Sequence, residues 1–157
     1  MNEPKRSSPN QIGVAVIGAG YWGKNLIRNF REHHAFDLRW VVDSSASQSF
    51  LASGPESFST SIEDALADPL VAAVAIATPP DCHEVHAMSA ILRGKHVLVE
   101  KPLSTSVEAG NRVVESARMA NVILMCDHTY CYSPAVLYIR EALEQGLLGD
   151  ILFIDST

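Results

Sequence analysis

The run Val14-Ala15-Val16-Ile17-Gly18-Ala19-Gly20-Tyr21-Trp22-Gly23, with Asp43 twenty residues beyond its last glycine, constrains this chain more than anything else in it. Four apolar residues in succession read as a buried strand. The Gly-x-Gly-x-x-Gly that follows reads as the turn from that strand into a helix. Gly18 permits the tight turn, Gly20 keeps a side chain away from a close-lying phosphate, and Gly23 lets the helix lie near the sheet. Free N–H groups and the positive end of the helix dipole suit a pyrophosphate there. A second strand, Phe36 to Val42, delivers Asp43, whose carboxylate can accept hydrogen bonds from the hydroxyls of a ribose. The spacing predicts a dinucleotide site. An acid at position 43 repels a 2′-phosphate, so NAD is expected in preference to NADP. Neighbouring Ser44 and Ser45 could soften that preference, and Arg39 lies too far back along its strand to be counted. The competing reading of the glycines is an ordinary tight turn in an empty doubly wound sheet.

Beyond this unit, short β-branched runs alternate with helical stretches, without repeats or low-complexity linkers. Alternation of this kind predicts the α/β class, a doubly wound parallel sheet (Rossmann) covered on both faces. Val71 to Ala77, His96 to Val99 and Val122 to Met125 read as central strands. Ser61 with Asp64, Asp81 with Glu84, and Thr105 with Glu108 have capping-box spacing, and Ser133-Pro134 offers an N-cap followed by proline. That last helix is expected to end near Gln145, with Gly146 as its cap. Residues 149 to 157 then read as a turn and a strand opening a second α/β domain that the chain does not complete. The expected organisation is a tail over 1–10, a dinucleotide-binding domain over 11–148, and the start of a C-terminal domain over 149–157.

With 157 residues, the chain has the length of about one domain. A net charge of −6 argues against a nucleic-acid partner, which rewards clustered Lys and Arg. Met1 to Asn10 lacks the apolar core of a signal peptide, and no apolar run approaches the roughly 20 residues of a membrane span. Cys82, Cys126 and Cys131 are an odd set without a Cys-x-x-Cys pair, which fits free thiols in a reducing, cytoplasmic setting.

In open parallel sheets ligands lie outside the carboxyl ends of the strands. The residues there are the glycine loop, Asp43, Thr78-Pro79-Pro80, Glu100-Lys101-Pro102 and Asp127-His128-Thr129-Tyr130. The prolines after Thr78 form a rigid wall, and His83 is expected on the next helical turn facing the cleft. Lys101 is the candidate catalytic residue. When a hydride leaves a carbinol carbon the hydroxyl proton must also move, and a lysine can relay it or stabilise the alkoxide. No metal site is expected, because Cys82, His83 and His86, like Cys126, His128 and Cys131, lack zinc-site spacing. A short-chain dehydrogenase is disfavoured because no tyrosine has a lysine four residues on, and a methyltransferase because Val16-Ile17 stands where an acid is usual.

Four blocks in order over residues 12 to 157 resemble the N-terminal half of the Gfo/Idh/MocA oxidoreductases. They are Gly18 through Asn25, Ala77-Thr78-Pro79-Pro80 with His83, Gly94 through Pro102, and His128-Thr129-Tyr130 through Val136. The resemblance implies that Gly18, Gly20 and Gly23 cradle the pyrophosphate and Asp43 the adenosine ribose, with Tyr21 and Trp22 of the same loop also binding the cofactor. It implies too that Thr78, Pro79 and His83 line the groove, that Glu100 and Lys101 face nicotinamide and substrate, and that His128 lies on the nicotinamide side. The Gly-Tyr-Trp-Gly-Lys-Asn loop is similar to members that oxidise nucleotide-linked sugars. A sugar, sugar nucleotide or cyclitol is therefore the expected substrate, and the full-length form is expected to be a homo-oligomer. In this family a C-terminal domain supplies most of the substrate pocket, so these residues alone are expected to bind cofactor better than they turn over. The alternative is a non-catalytic nucleotide-sensing module, for which Lys101 would be dispensable.

Overall fold

A computed structural model describes residues 11–155 of the chain, so the tail expected over residues 1–10, Ser156 and Thr157 lie outside the described residues. The first of two compact units runs to Asp127. It holds six strands, β1 (Ile12–Ile17), β2 (Phe36–Val42), β3 (Ser57–Ser59), β4 (Ala73–Ile76), β5 (His96–Glu100) and β6 (Leu124–Asp127). They form one parallel sheet in the order β3-β2-β1-β4-β5-β6. The order reverses between β1 and β4, which places the ligand crevice of a doubly wound sheet at their carboxyl ends. Four helices, α1 (Gly23–Glu32), α2 (Ile62–Ala67), α3 (Pro80–Ile91) and α4 (Val107–Met119), supply four of the five crossovers, and a 3-10 stretch, Ala46–Leu51, lies between β2 and β3.

Alternation along the strands divides the core between two layers. Ala15, Ile17, Val74, Ile76, Val97 and Val99 pack with Ala87, Ile91 and Val113 from α3 and α4. Val16, Val41 and Ala75 pack with Leu26 and Ile27 from α1. Continuous burial from Val14 to Ala19 explains why β1 reads as an unbroken apolar run. Between α2 and β4 the main chain relies on Lys95, only 9% exposed, whose Nζ donates to the carbonyls of Asp68 at 2.9 Å and Val71 at 2.6 Å.

Several local expectations shift. β4 starts at Ala73 rather than Val71, and β6 starts at Leu124 rather than Val122. β3 was not anticipated. It has three residues, two of them serine, and exists because Trp40, Val41 and Val42 offer it a ladder. Ser61 caps α2 through the N–H of Glu63. Asp81 lies inside the first turn of α3, after Pro79 and Pro80, so it is no cap. Ser106 takes the place expected of Thr105 and accepts from the N–H of Ala109.

The second unit begins at His128. A 3-10 turn, Thr129–Tyr132, leads to α5 (Pro134–Glu144), where Ser133 caps through the N–H of Val136. Gly146, with φ 70°, ends α5 as expected, and the N–H of Leu147 returns to the carbonyl of Ala142. The strand expected at Ile151 to Ile154 is corrected: residues 151–155 carry no regular structure and are exposed. An extended sequence becomes a strand only where a neighbour completes its ladder, and no described segment does so here.

Candidate functional site

The glycine loop is built as its sequence implies. Gly18 has φ +91°, and a Cβ there would lie 2.7 Å from the carbonyl oxygen of Ala77. A Cβ on Gly23 would lie 1.9 Å from the carbonyl oxygen of Gly18, so α1 can begin beneath the loop only with glycine at that place. A Cβ on Gly20 would meet nothing within 4 Å. The surface above Gly20 is open, as a close-lying phosphate requires. Trp22 occupies the N-cap of α1 without a side-chain bond to the helix, and the first turn contains no acidic residue. The N–H of Lys24 donates to the carbonyl of Gly20 at 3.3 Å and that of Asn25 to the carbonyl of Trp22 at 2.9 Å, so what this turn offers an anion is chiefly the positive end of the helix dipole.

Asp43 sits where β2 ends. Its Oδ2 accepts from the N–H of Ala19 at 2.7 Å and its Oδ1 from the N–H of Ser45 at 2.9 Å. Each carboxylate oxygen keeps a lone pair for a ribose hydroxyl. Arg39 is held elsewhere, by Asp68 at 3.0 Å and Asp37 at 2.9 Å, and those partners keep its guanidinium away from any 2′-phosphate. A groove of about 680 Å³ joins Gly18, Gly20, Asp43 and Ser44 to Thr60–Ile62, Thr78, Pro79, Cys82 and His86.

Thr60, Ser61, Ile62, Cys82 and His86 were not expected in the groove from the sequence, although Ser61 was read as a helix cap and Cys82 and His86 were weighed as metal ligands. The first three follow β3, whose short polar run carried no signal. Cys82 and His86 are one turn apart on α3, and that spacing was the available clue. His86 Nδ1 lies 3.2 Å from Thr78 Oγ1, and burial, followed by the charge of His83, holds its pKa below the ordinary value. His83 itself is corrected. It is 1% exposed and belongs to the buried face of α3 with Ala87, Ala90 and Ile91, beneath the groove rather than along it.

Glu100 and Asp127, which are not among the residues lining that groove, stand in register at the carboxyl ends of β5 and β6. Glu100 is 9% exposed and its Oε1 is buried without a hydrogen-bond partner. Burial, then the neighbouring Asp127 carboxyl, push its pKa up to about 7, against weaker pulls from the Lys101 N–H and Trp22. Asp127 was named only as a strand-end residue. Its role follows from register, which depends on the pairing of distant strands. Burial and these two acids also raise the Cys126 thiol. Lys101 is exposed at the head of the turn after β5, and Tyr21 is 90% exposed on the glycine loop. His128 is exposed at the start of the second unit. Among the described residues no group of three or more His, Cys, Asp or Glu is placed to hold a metal ion, and no helix is long and apolar enough to cross a membrane.

A parallel sheet of this order, a glycine loop open above Gly20 and an acid closing β2 define a dinucleotide-binding α/β domain. Residues 12–128 match the family described as GFO_IDH_MocA, oxidoreductase family, NAD-binding Rossmann fold, and the chain belongs to it. It is 37% identical over 150 residues, 94% of this chain and 40% of the other, to an uncharacterized oxidoreductase of Synechocystis sp.. The structure of GenD2 from gentamicin A biosynthesis in complex with NAD superposes with a TM-score of 0.84 at 30% identity, over 94% of this chain and 42% of that one. The WlbA dehydrogenase from Bordetella pertussis, in complex with NADH and UDP-GlcNAcA, gives 0.85 at 27% identity, over 92% and 42%. The chain spans about two fifths of the length of these proteins.

Proposed function

We propose that this chain is the cofactor-binding half of a dehydrogenase that moves a hydride between NAD and a hydroxyl-bearing carbon of a sugar, sugar nucleotide or cyclitol. The observation that carries the reading is the pairing of an open cradle at Gly20 with Asp43 pinned to the loop by Ala19. The loop amides and the first turn of α1 bind the pyrophosphate. Asp43 orients the adenosine ribose and, as an acid, favours NAD over NADP. A bound nicotinamide supplies the hydride-transfer chemistry. Lys101, at the end of β5, holds or moves the hydroxyl proton at its Nζ. Glu100, next to it in the chain, meets the Trp22 side chain of the glycine loop. The sugar class rests on the relatives, one of which was crystallised with UDP-GlcNAcA.

Calorimetric titration of the chain with NADH and NADPH tests the cofactor assignment. Saturable NADH binding, weaker NADPH binding and loss of both in Asp43→Ala are expected. No binding of either, or tighter NADPH binding, refutes it. In a longer protein carrying this domain, Lys101→Ala should remove most of kcat with little change in KM for NAD. Unchanged kcat would leave a nucleotide-sensing module as the better description.

A further inference from the structure

Two turns follow neighbouring strands, Thr78-Pro79 after β4, which lines the groove, and Lys101-Pro102 after β5, and one buried side chain touches both. His83 Nδ1 lies 2.7 Å from the carbonyl oxygen of Pro102, and His83 Nε2 lies 2.8 Å from the carbonyl oxygen of Thr78. The ring is 1% exposed. A carbonyl oxygen only accepts, and a neutral imidazole carries a single N–H. Both contacts are hydrogen bonds only when both ring nitrogens are protonated.

We propose that His83 is a positioning residue, a buried imidazolium that ties the Lys101-Pro102 turn to the Thr78-Pro79 turn and fixes the place of Lys101 relative to the groove wall at Thr78. The inference rests on the dinucleotide reading above. Its geometry is specific to α3. Pro80 opens the helix directly after Pro79, so His83 on the first buried turn points back beneath both turns. The helix dipole and the loss of hydration both oppose a cation there, and the two charge-assisted bonds to carbonyls are what offset them. His86 in turn meets the Thr78 side chain, so α3 holds Thr78 by its carbonyl through one histidine and by its hydroxyl through another. At the other turn, the N–H of Lys101 points to Glu100, which leaves the Pro102 carbonyl to His83. Lys101 thereby inherits its place from a residue that touches neither cofactor nor substrate.

Nitrogen-15 spectra of the histidine rings near neutral pH test the tie without any ligand, the His83 signals being assigned by their loss in His83→Phe. Both ring nitrogens of His83 should be protonated and slow to exchange. A single N–H, or fast exchange at either nitrogen, overturns the cationic bridge. Positioning is tested by titrating wild type, His83→Gln and His83→Phe with ADP-ribose, which lacks the nicotinamide, and with NADH. ADP-ribose affinity should stay within about twofold, while NADH binding weakens by about tenfold in His83→Phe and by less in His83→Gln, which keeps a donor. Equal losses for the two ligands, or no loss for NADH, overturn the positioning role. Should His83→Phe fail to fold, His83→Gln carries the comparison. If wild type binds neither ligand, the dinucleotide reading falls, and the ring spectrum still decides the tie.

Discussion

Alanine at Gly20 and alanine at Gly23 are the same chemical change three residues apart, and the structure assigns them opposite consequences. At Gly23 the added methyl would stand 1.9 Å from the Gly18 carbonyl oxygen, against an ordinary contact of about 3.5 Å. That oxygen belongs to backbone held at φ +91° and pressed against Ala77, so the loop cannot yield locally and the start of α1 must move outward. Overpacking a fixed site typically costs about 1–3 kcal/mol, and displacing α1 from Val16, Val41 and Ala75 brings the expected loss to about 3 kcal/mol. For a domain of this size that lowers Tm by about 10 °C. At Gly20 the methyl meets nothing within 4 Å and φ lies outside the left-handed region, so the expected stability change stays within about 0.5 kcal/mol. The same methyl occupies the space assigned to the pyrophosphate, and NADH affinity should fall by about two orders of magnitude, on the order of 3 kcal/mol. Thermal unfolding with and without NADH reads both effects. Gly20→Ala should melt like wild type and lose its ligand-induced shift, whereas Gly23→Ala should melt low even without ligand. If Gly20→Ala lowered Tm as much as Gly23→Ala, or bound NADH normally, the assignment of the open cradle would be wrong.

Asp43→Ala removes the acceptor for the N–H groups of Ala19 and Ser45, so the ligand-free chain should lose about 1–3 kcal/mol in urea unfolding as well as its nucleotide. Lys95→Met keeps the apolar stem but strands the carbonyls of Asp68 and Val71, a loss of about 2–3 kcal/mol by the same assay, with little effect on NADH binding. Glu100 gives the fold a pH dependence. Its folded pKa of about 7 exceeds the ordinary 4.5, so the folded state binds the extra proton, and this contribution to stability is lost as pH rises from about 4.5 to 7. Glu100→Gln should abolish that slope and be more stable than wild type near pH 8, by on the order of 1 kcal/mol. Asp127→Asn, which removes the like charge beside Glu100, should shift the slope to lower pH, and an unchanged slope in either variant would disprove the pairing.

What one segment of chain could specify, the sequence determined. The Gly18–Gly23 turn, β2 ending at Asp43, the Ser133-Pro134 cap and the Gly146 stop depend on local sterics and on bonds between residues a few places apart. Val14 to Ile17 declared their burial because a central parallel strand has no solvent face to alternate with. Tertiary structure decided the rest. β3 was invisible because three residues of Ser-Phe-Ser have no strand signal of their own, and β2 makes them a strand. Ile151 to Ile154, which have such a signal, form none. His83 and His86 are three residues apart on one helix, and only the packing of α3 against the sheet turned the first under the groove and the second into it. Glu100 and Asp127, 27 residues apart, became a carboxyl pair through strand register. Local propensity sets which conformations a segment can adopt, while the neighbours it meets set which face is buried and which charges lie side by side.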